Sequence, residues 1–491
     1  MSFPPGAGPP PPPPVPPPQT PWGAPRPDPD PSGRRPPGAP SGPPKPAIVG
    51  ALAVALAVSL AINAITALRV KDESDQQARL QDRVAELQAE VDALKRRAPQ
   101  SGGTVLERIA SAVAQLRELA FVKKVEAQIL SGAQLQDRVE KQFSTDNPRA
   151  EIDELDKVLT AFGLLKPQED LYKILLDVQT EQIAGFYDTK TKKLVVGGTA
   201  NNPTALDRVI LAHEYTHALT DQHFDLTRVD RLLEERKDDE ALAYLTLVEG
   251  DATVLMGNYA QEYLTPSELQ EFFAESTQAP SDALDAAPDV IRRSLLFPYE
   301  QGVVFVRALL DKGGIAAVDA AYKDPPTSTE QVLHVTKYTG TRDQPTAVTV
   351  PDVAKVLGQG WKSFESGGIG EFDVRLIVDQ FMTRSDAERA GEGWDGGRFA
   401  AAESAAGVVV AALTVWDSES EAREATDILG RWLPDRFGNK GSDMRLTGAV
   451  GRGWESTDGA GAVLRDGDRV VLIIGPDRAT VEKVRTAFPG F

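Results

Sequence analysis

Leu106, Ile109, Val113, Leu116 and Leu119 fall three or four positions apart, the spacing that turns one face of a helix inward. The pattern predicts helices from about Thr104 to Leu176, broken at Ser131-Gly132 and Asn147-Pro148. Between Ala184 and Gly198 the period shortens. Phe186-Tyr187, a polar turn from Asp188 to Lys192, and Leu194-Val195-Val196 predict a β-hairpin. Asn202 is placed to cap the next helix, with Pro203 at its first position. Helical spacing returns in Ala241 to Thr253, where Leu242, Leu245 and Glu249 share a face. Past Val350 the apolar runs Gly407 to Val415, Gly461 to Leu464 and Val470 to Ile474 alternate with helical patterns at Ser418 to Leu433 and Ala479 to Phe488. Strands separated by helices predict a separate, smaller α+β domain over 350–491, with Trp394, Trp416 and Trp454 as core and turn anchors.

Ahead of residue 104 the patterns differ. Residues 1–46 hold 22 of the 37 prolines and no apolar period, which predicts a disordered, polyproline-rich tail. Ala47 to Leu68 carries no charge and as a helix would reach about 33 Å, enough to cross a bilayer. We expect an uncleaved transmembrane anchor there, with the tail cytoplasmic and the bulk of the chain outside the cell membrane. Basic residues balance on the two flanks, so charge does not orient it. Leu80, Val84, Leu87, Val91 and Leu94 then form a heptad seam across a stalk at 69–98. Both a homodimeric coiled coil and a single solvated helix fit it.

Composition narrows the chemistry. A formal charge of -19 disfavours nucleic acid and anionic lipid surfaces as general partners. Cysteine is absent, which removes disulfides and thiolate metal sites and leaves histidine and carboxylate as the strong zinc donors.

The chain has four histidines, and His213, His217 and His223 lie close together. His213-Glu214-Tyr215-Thr216-His217 is an H-E-x-x-H motif, two imidazoles one helical turn apart that can reach a single ion. They share a face with Leu206 and Ile210, and Glu214 is placed to act as general base on a metal-activated water. A catalytic zinc needs a third protein donor, and two candidates exist. Glu249 is one. His223 is the other, at a spacing that requires a sharp turn where this chain has Thr220 instead of glycine. His334, Tyr299 and Tyr338 are candidates to donate to an oxyanion.

H-E-Y-T-H-A-L-T-D-Q-H-F-D-L (213–226) followed by L-V-E-G-D-A-T (247–253) resembles the gluzincin branch of zinc metallopeptidases. G-F-Y-D (185–188), F-P-Y-E-Q-G (297–302) and S-T-E-Q-V-L-H (328–334) narrow the resemblance to a group of little-characterised, membrane-anchored bacterial metallopeptidases. It covers roughly 104–345. The resemblance implies that His213, His217 and Glu249 bind Zn2+ and that Glu214 is the general base; the missing glycine at Thr220 gives His223 a supporting or structural role. It also departs from the thermolysin-like pattern, which has Asp where this chain has Thr253; Asp251 is left either to orient a ligand histidine or to sit as an exposed carboxylate.

The expected fold class is therefore α+β: a mostly helical zincin-like domain (104–345) with a small hairpin, then a smaller α+β domain, behind a disordered tail and a transmembrane helix. The expected function is a membrane-anchored zinc metalloendopeptidase acting on peptide or protein substrates. An extended substrate would add to the edge of the Leu194 to Val196 strand. The alternative is a non-catalytic envelope scaffold or sensor that keeps the metal for structure.

Overall fold

The computed structural model describes residues 103–491 apart from 182–184, 199–201 and 278–281. The proline-rich tail, the apolar run Ala47 to Leu68 and the heptad stalk lie outside the described residues.

The chain begins with α1 (Val105–Arg117), β1 (Glu126–Leu130), α2 (Gly132–Asp146), α3 (Arg149–Phe162) and α4 (Leu171–Glu181). Thr104 and Ser131 start α1 and α2 through reciprocal capping boxes with Glu107 and Gln134. β2 (Gly185–Asp188) and β3 (Lys193–Gly197) form the expected hairpin. β1, in a stretch that reads as helical, adds to it in parallel, so the small sheet has the order β1-β3-β2. β3 is therefore the central strand and has no free edge for a substrate. That corrects the docking edge expected at Leu194 to Val196.

Next come α5 (Ala205–Phe224), α6 (Arg228–Glu234), α7 (Asp238–Tyr263), α8 (Pro266–Ser276), α9 (Asp282–Ala286) and α10 (Asp289–Lys323), which breaks at Gly313-Gly314. Every residue of α5 from Val209 to Asp221, and of α7 from Ala243 to Thr253, is buried. A helix enclosed on all sides belongs to the core. α5 packs on α1, α7, α8 and β2, while α7 packs on α5, α6 and most extensively on α10. Two glycines permit that last contact. A Cβ on Gly250 would lie 2.3 Å from the Gly302 carbonyl oxygen, and one on Gly302 would lie 2.4 Å from that of Thr246. The two helices thus touch backbone to backbone beside Glu249.

The remainder is α11 (Thr329–Leu333), α12 (Val335–Thr339), α13 (Val353–Leu357), β4 (Lys362–Gly368), α14 (Glu371–Asp379), α15 (Arg384–Gly391), β5 (Trp394–Ser404), β6 (Gly407–Trp416), α16 (Glu419–Arg436), β7 (Ser442–Met444), β8 (Val450–Ser456), β9 (Gly459–Asp466), β10 (Arg469–Gly475) and α17 (Arg478–Arg485). The strands make a seven-stranded antiparallel sheet in the order β4-β5-β6-β10-β9-β8-β7. Its central strands bury both faces. Val410, Ala412, Leu472 and Ile474 point into one core, and Val409, Ala411, Val471 and Ile473 into another beneath α13 and α17.

The expected fold class is corrected by this arrangement. The first of those cores contains Phe162 of α3, Leu175 of α4, Ile291 of α10 and Trp432 of α16, so helices and sheet share one apolar interior. What stands in place of a helical domain with a small hairpin and a separate appendage is an α+β body with a large antiparallel sheet. The cause lies in α3, α4 and α10, whose apolar faces are completed by the sheet side and not by the histidine helix. No helix among the described residues is long and apolar enough to cross a membrane, and the uncharged run expected to do so, Ala47 to Leu68, lies outside them.

Candidate metal centre

α5 is started by Thr204, whose hydroxyl accepts from Asp207 N–H in a capping box, and not by Asn202. The helix runs unbroken to Phe224, so Thr220 sits within it; its hydroxyl donates to the Thr216 carbonyl at 2.9 Å. His213 and His217 occupy successive turns of the buried stretch. Glu249 reaches them from the middle of α7, where the Gly250–Gly302 contact seats that helix.

Three donor atoms converge. The two Nε2 atoms are 2.9 Å apart, and Glu249 Oε2 lies 3.3 Å from His213 Nε2 and 3.4 Å from His217 Nε2. A tetrahedral ion with bonds of about 2.0–2.1 Å requires donors about 3.3 Å apart. The residues fit such an ion. Without a cation the set is poorly satisfied: Glu249 Oε2 is buried with no hydrogen-bond partner. Two imidazole nitrogens and a carboxylate with no thiolate form a donor set of the kind that holds first-row divalent metals.

The charges agree with an affinity for cations. Burial works against a charged His217, but the Glu249 carboxylate outweighs it and raises the imidazole pKa. Burial also opposes ionisation of Glu249, yet the neighbouring imidazoles hold its carboxyl below the usual range. Glu214 differs. Burial is its largest influence and pushes its pKa up, against the pull of His213 and His217. Its Oε2 accepts the Tyr187 N–H of β2 at 2.8 Å, and its Oε1 is unpartnered. No local pattern of residues marks that outward N–H of an edge strand as a partner for Glu214.

Glu214, His217, Glu249 and Tyr187 line a cavity of about 90 Å³, room for several waters. His213 is sealed, while the His217 side chain keeps 10 % of its surface exposed. Tyr299, from α10, stacks on His213 with ring centroids 6.4 Å apart. Its hydroxyl lies beside Glu249 without reaching hydrogen-bond geometry, and burial raises its pKa well above normal.

No family identity follows from comparison. Residues 361–485, from the start of β4 to the end of α17, match a family described as a domain of unknown function (DUF8575). No curated protein matches the chain. No solved structure matches it. The sheet region thus has relatives without an assigned role, and the metal centre lies outside the matched residues.

The other candidates lie elsewhere. His223 is exposed, with Nε2 2.8 Å from the Ala120 carbonyl oxygen. His334 ends α11, where Nε2 is 3.0 Å from Glu371 and near Arg375. Tyr338 donates to the Asp324 carbonyl at 2.8 Å. Asp251 is buried and engages no histidine; it pairs with the Arg117 guanidinium at 3.0 Å, which also meets Asp319 at 2.7 Å. That ion cluster ties α1 to the ligand helix. Nothing in the local sequence around Arg117 marks it.

Proposed function

We propose that this chain is a zinc-dependent metallopeptidase, with His213, His217 and Glu249 holding the ion and Glu214 as general base. The carrying observation is the convergence of three donor atoms beside an unpartnered, buried Glu214 oxygen. Zinc bound there would polarise a water and the carbonyl that it attacks.

The chain's own groups supply the rest. Glu214 Oε1 takes the proton of the attacking water and delivers it to the departing amine. The Tyr187 N–H fixes Oε2, so the carboxylate cannot swing away from that task. Burial favours the protonated carboxyl and thereby assists the delivery step. The small cavity limits bulk solvent around the reacting water.

The near-complete burial of the donors favours one other reading, a metal kept for structure. Structural zinc sites close with four protein donors, and three converge here. The full chain, purified and loaded with zinc, tests both. Zinc content and hydrolysis of casein or short peptides are measured for the native chain, Glu214→Gln and His223→Ala. Hydrolysis that Glu214→Gln abolishes while zinc stays bound is the expected result. Zinc without hydrolysis of any peptide leaves the structural reading.

A further inference from the structure

Leu245 and Glu249 border two spaces. One is the small polar cavity of the metal centre. The other is a cavity of about 370 Å³, within the range of small-ligand sites and lined mainly by apolar groups. Leu155 and Leu159 of α3 and Leu295 of α10 form one side, and Phe372 of α14 and Phe399 of β5 form the other. That second side belongs to the stretch matched as a domain of unknown function.

Its polar groups say what fits. Three aspartates of the wall are engaged within the protein: Asp238 accepts from Gly368 N–H, Asp239 from Thr329, and Asp373 from Gly370 N–H. Arg236, the one cation among the described residues of the wall, is paired with Glu365. An anionic ligand, such as a fatty acid or a lipid phosphate, finds no partner there. The buried wall atoms with no hydrogen-bond partner are the Tyr299 hydroxyl and Glu249 Oε2, at the end that meets the metal centre. Apolar walls left unfilled forfeit dispersion contacts, so an uncharged apolar group that fills the cavity gains them.

We propose that this cavity holds a bulky uncharged side chain, aromatic or leucine-like, of the peptide whose bond is presented to the metal centre, and that the C-terminal sheet region selects substrate by forming its wall. The proposal rests on the metallopeptidase reading for the word substrate; the pocket itself does not.

The test uses the metal-free full chain, which cannot turn over, and isothermal calorimetry with N-acetyl-Ala-X-Ala-amide peptides where X is Phe, Leu, Ala or Glu. Phe and Leu are expected to bind about tenfold or more tightly than Ala, and Glu no better than Ala. Ser294→Trp fills the cavity from α10 and is expected to erase the preference; Ser294→Ala should keep it. Leu155→Trp, from α3, serves if Ser294→Trp fails to melt cooperatively. Equal binding of Phe and Ala peptides overturns the proposal, as does a preference that survives both fillings. Decanol that binds tighter than every peptide overturns it in favour of a lipid chain. Zinc is then added. A Phe preference without hydrolysis leaves the pocket and removes the metallopeptidase reading, whereas hydrolysis without any preference does the reverse.

Discussion

Among the described residues two groups, one of histidines with a carboxylate and one of carboxylates alone, have the spacing of a metal site, and they differ in what stands at the centre. His213, His217 and Glu249 face one another with no cation of the protein's own among them. Glu330, Asp343 and Asp417 surround the Lys337 ammonium, at 2.6, 2.9 and 2.6 Å. Burial alone would lower the Lys337 pKa, but the three carboxylates reverse that and raise it. The second group already has its cation, covalently attached. Proximity of carboxylates therefore says little; an uncompensated, convergent donor set is what marks a place for an ion.

The largest expected effects come from breaking the first group. Glu249→Ala or His213→Ala should take zinc in the full chain from one equivalent to none, read by elemental analysis after dialysis. Glu214→Gln should keep the equivalent and lower kcat by roughly 10²–10⁴-fold, the usual worth of a general base. Zinc retained by Glu249→Ala, or turnover retained by Glu214→Gln, would remove the distinction between the two groups. His223→Ala should change neither quantity.

Gly302→Ala attacks the same group through the backbone. The added methyl meets the Thr246 carbonyl and the backbone of Gly250, none of which can swing aside. Forced apart, α7 and α10 should lose about 1–3 kcal/mol of stability or more, seen as a lower urea midpoint. Zinc affinity should fall with it, because Glu249 adjoins the contact. A Gly302→Ala chain that is destabilised but binds zinc as tightly as the native one would show that the helix contact does not place the ligand.

Lys337→Met turns the second group into an imitation of the first. Three carboxylates then lack their cation, with an expected loss of about 1–3 kcal/mol, moderated because the lysine is 25 % exposed. Millimolar Ca2+ should restore part of the melting temperature in this variant and leave the native chain unchanged. No loss on substitution would mean that Lys337 is a surface pairing of little weight.

Much of the first group could be read in the chain, and the reasons are local. Two histidines at i and i+4 meet on any helix, so their pairing needs no tertiary knowledge. Glu249 is harder, since it depends on how α7 crosses α5, which Gly250 and Gly302 decide at two positions far apart in sequence. Glycine inside a helical stretch was the available signal. Strands β6 and β10 announced themselves as apolar runs, whereas β5, with Gly396, Gly397 and three successive alanines from Ala400, did not. β1 was hidden by the opposite fault: the alternation of Glu126, Ala127, Gln128 and Ile129 is short and carries little apolar weight, because it is an edge strand with little to bury. The shared core escaped notice because an apolar helix face says that something covers it, not what.

Asp239 joins the two groups, and it carries the smallest of these effects. It opens the ligand helix α7, and its carboxylate accepts from the Thr329 hydroxyl at 2.6 Å, one residue before Glu330. Burial pushes its pKa to about 8, against the Thr329 hydrogen bonds and with help from Asp373; burial likewise takes Glu330 to about 7 despite Lys337. Both values lie above those of the unfolded chain, near 4, so the folded state holds these protons more tightly. Their contribution to stability is complete below about pH 4 and is lost as pH rises through about 7 to 8. The unfolding free energy should therefore fall between pH 5 and pH 8, by on the order of 1 kcal/mol or more for each acid, seen as a lower urea midpoint. Asp239→Asn cannot ionise, and should flatten its share of that slope while zinc stoichiometry at neutral pH stays at one. If the slope is unchanged in Asp239→Asn, the proton on this acid does not connect the ligand helix to the lysine-centred group; if zinc is lost as well, the link is mechanical and the comparison between the groups must include the strap that holds them together.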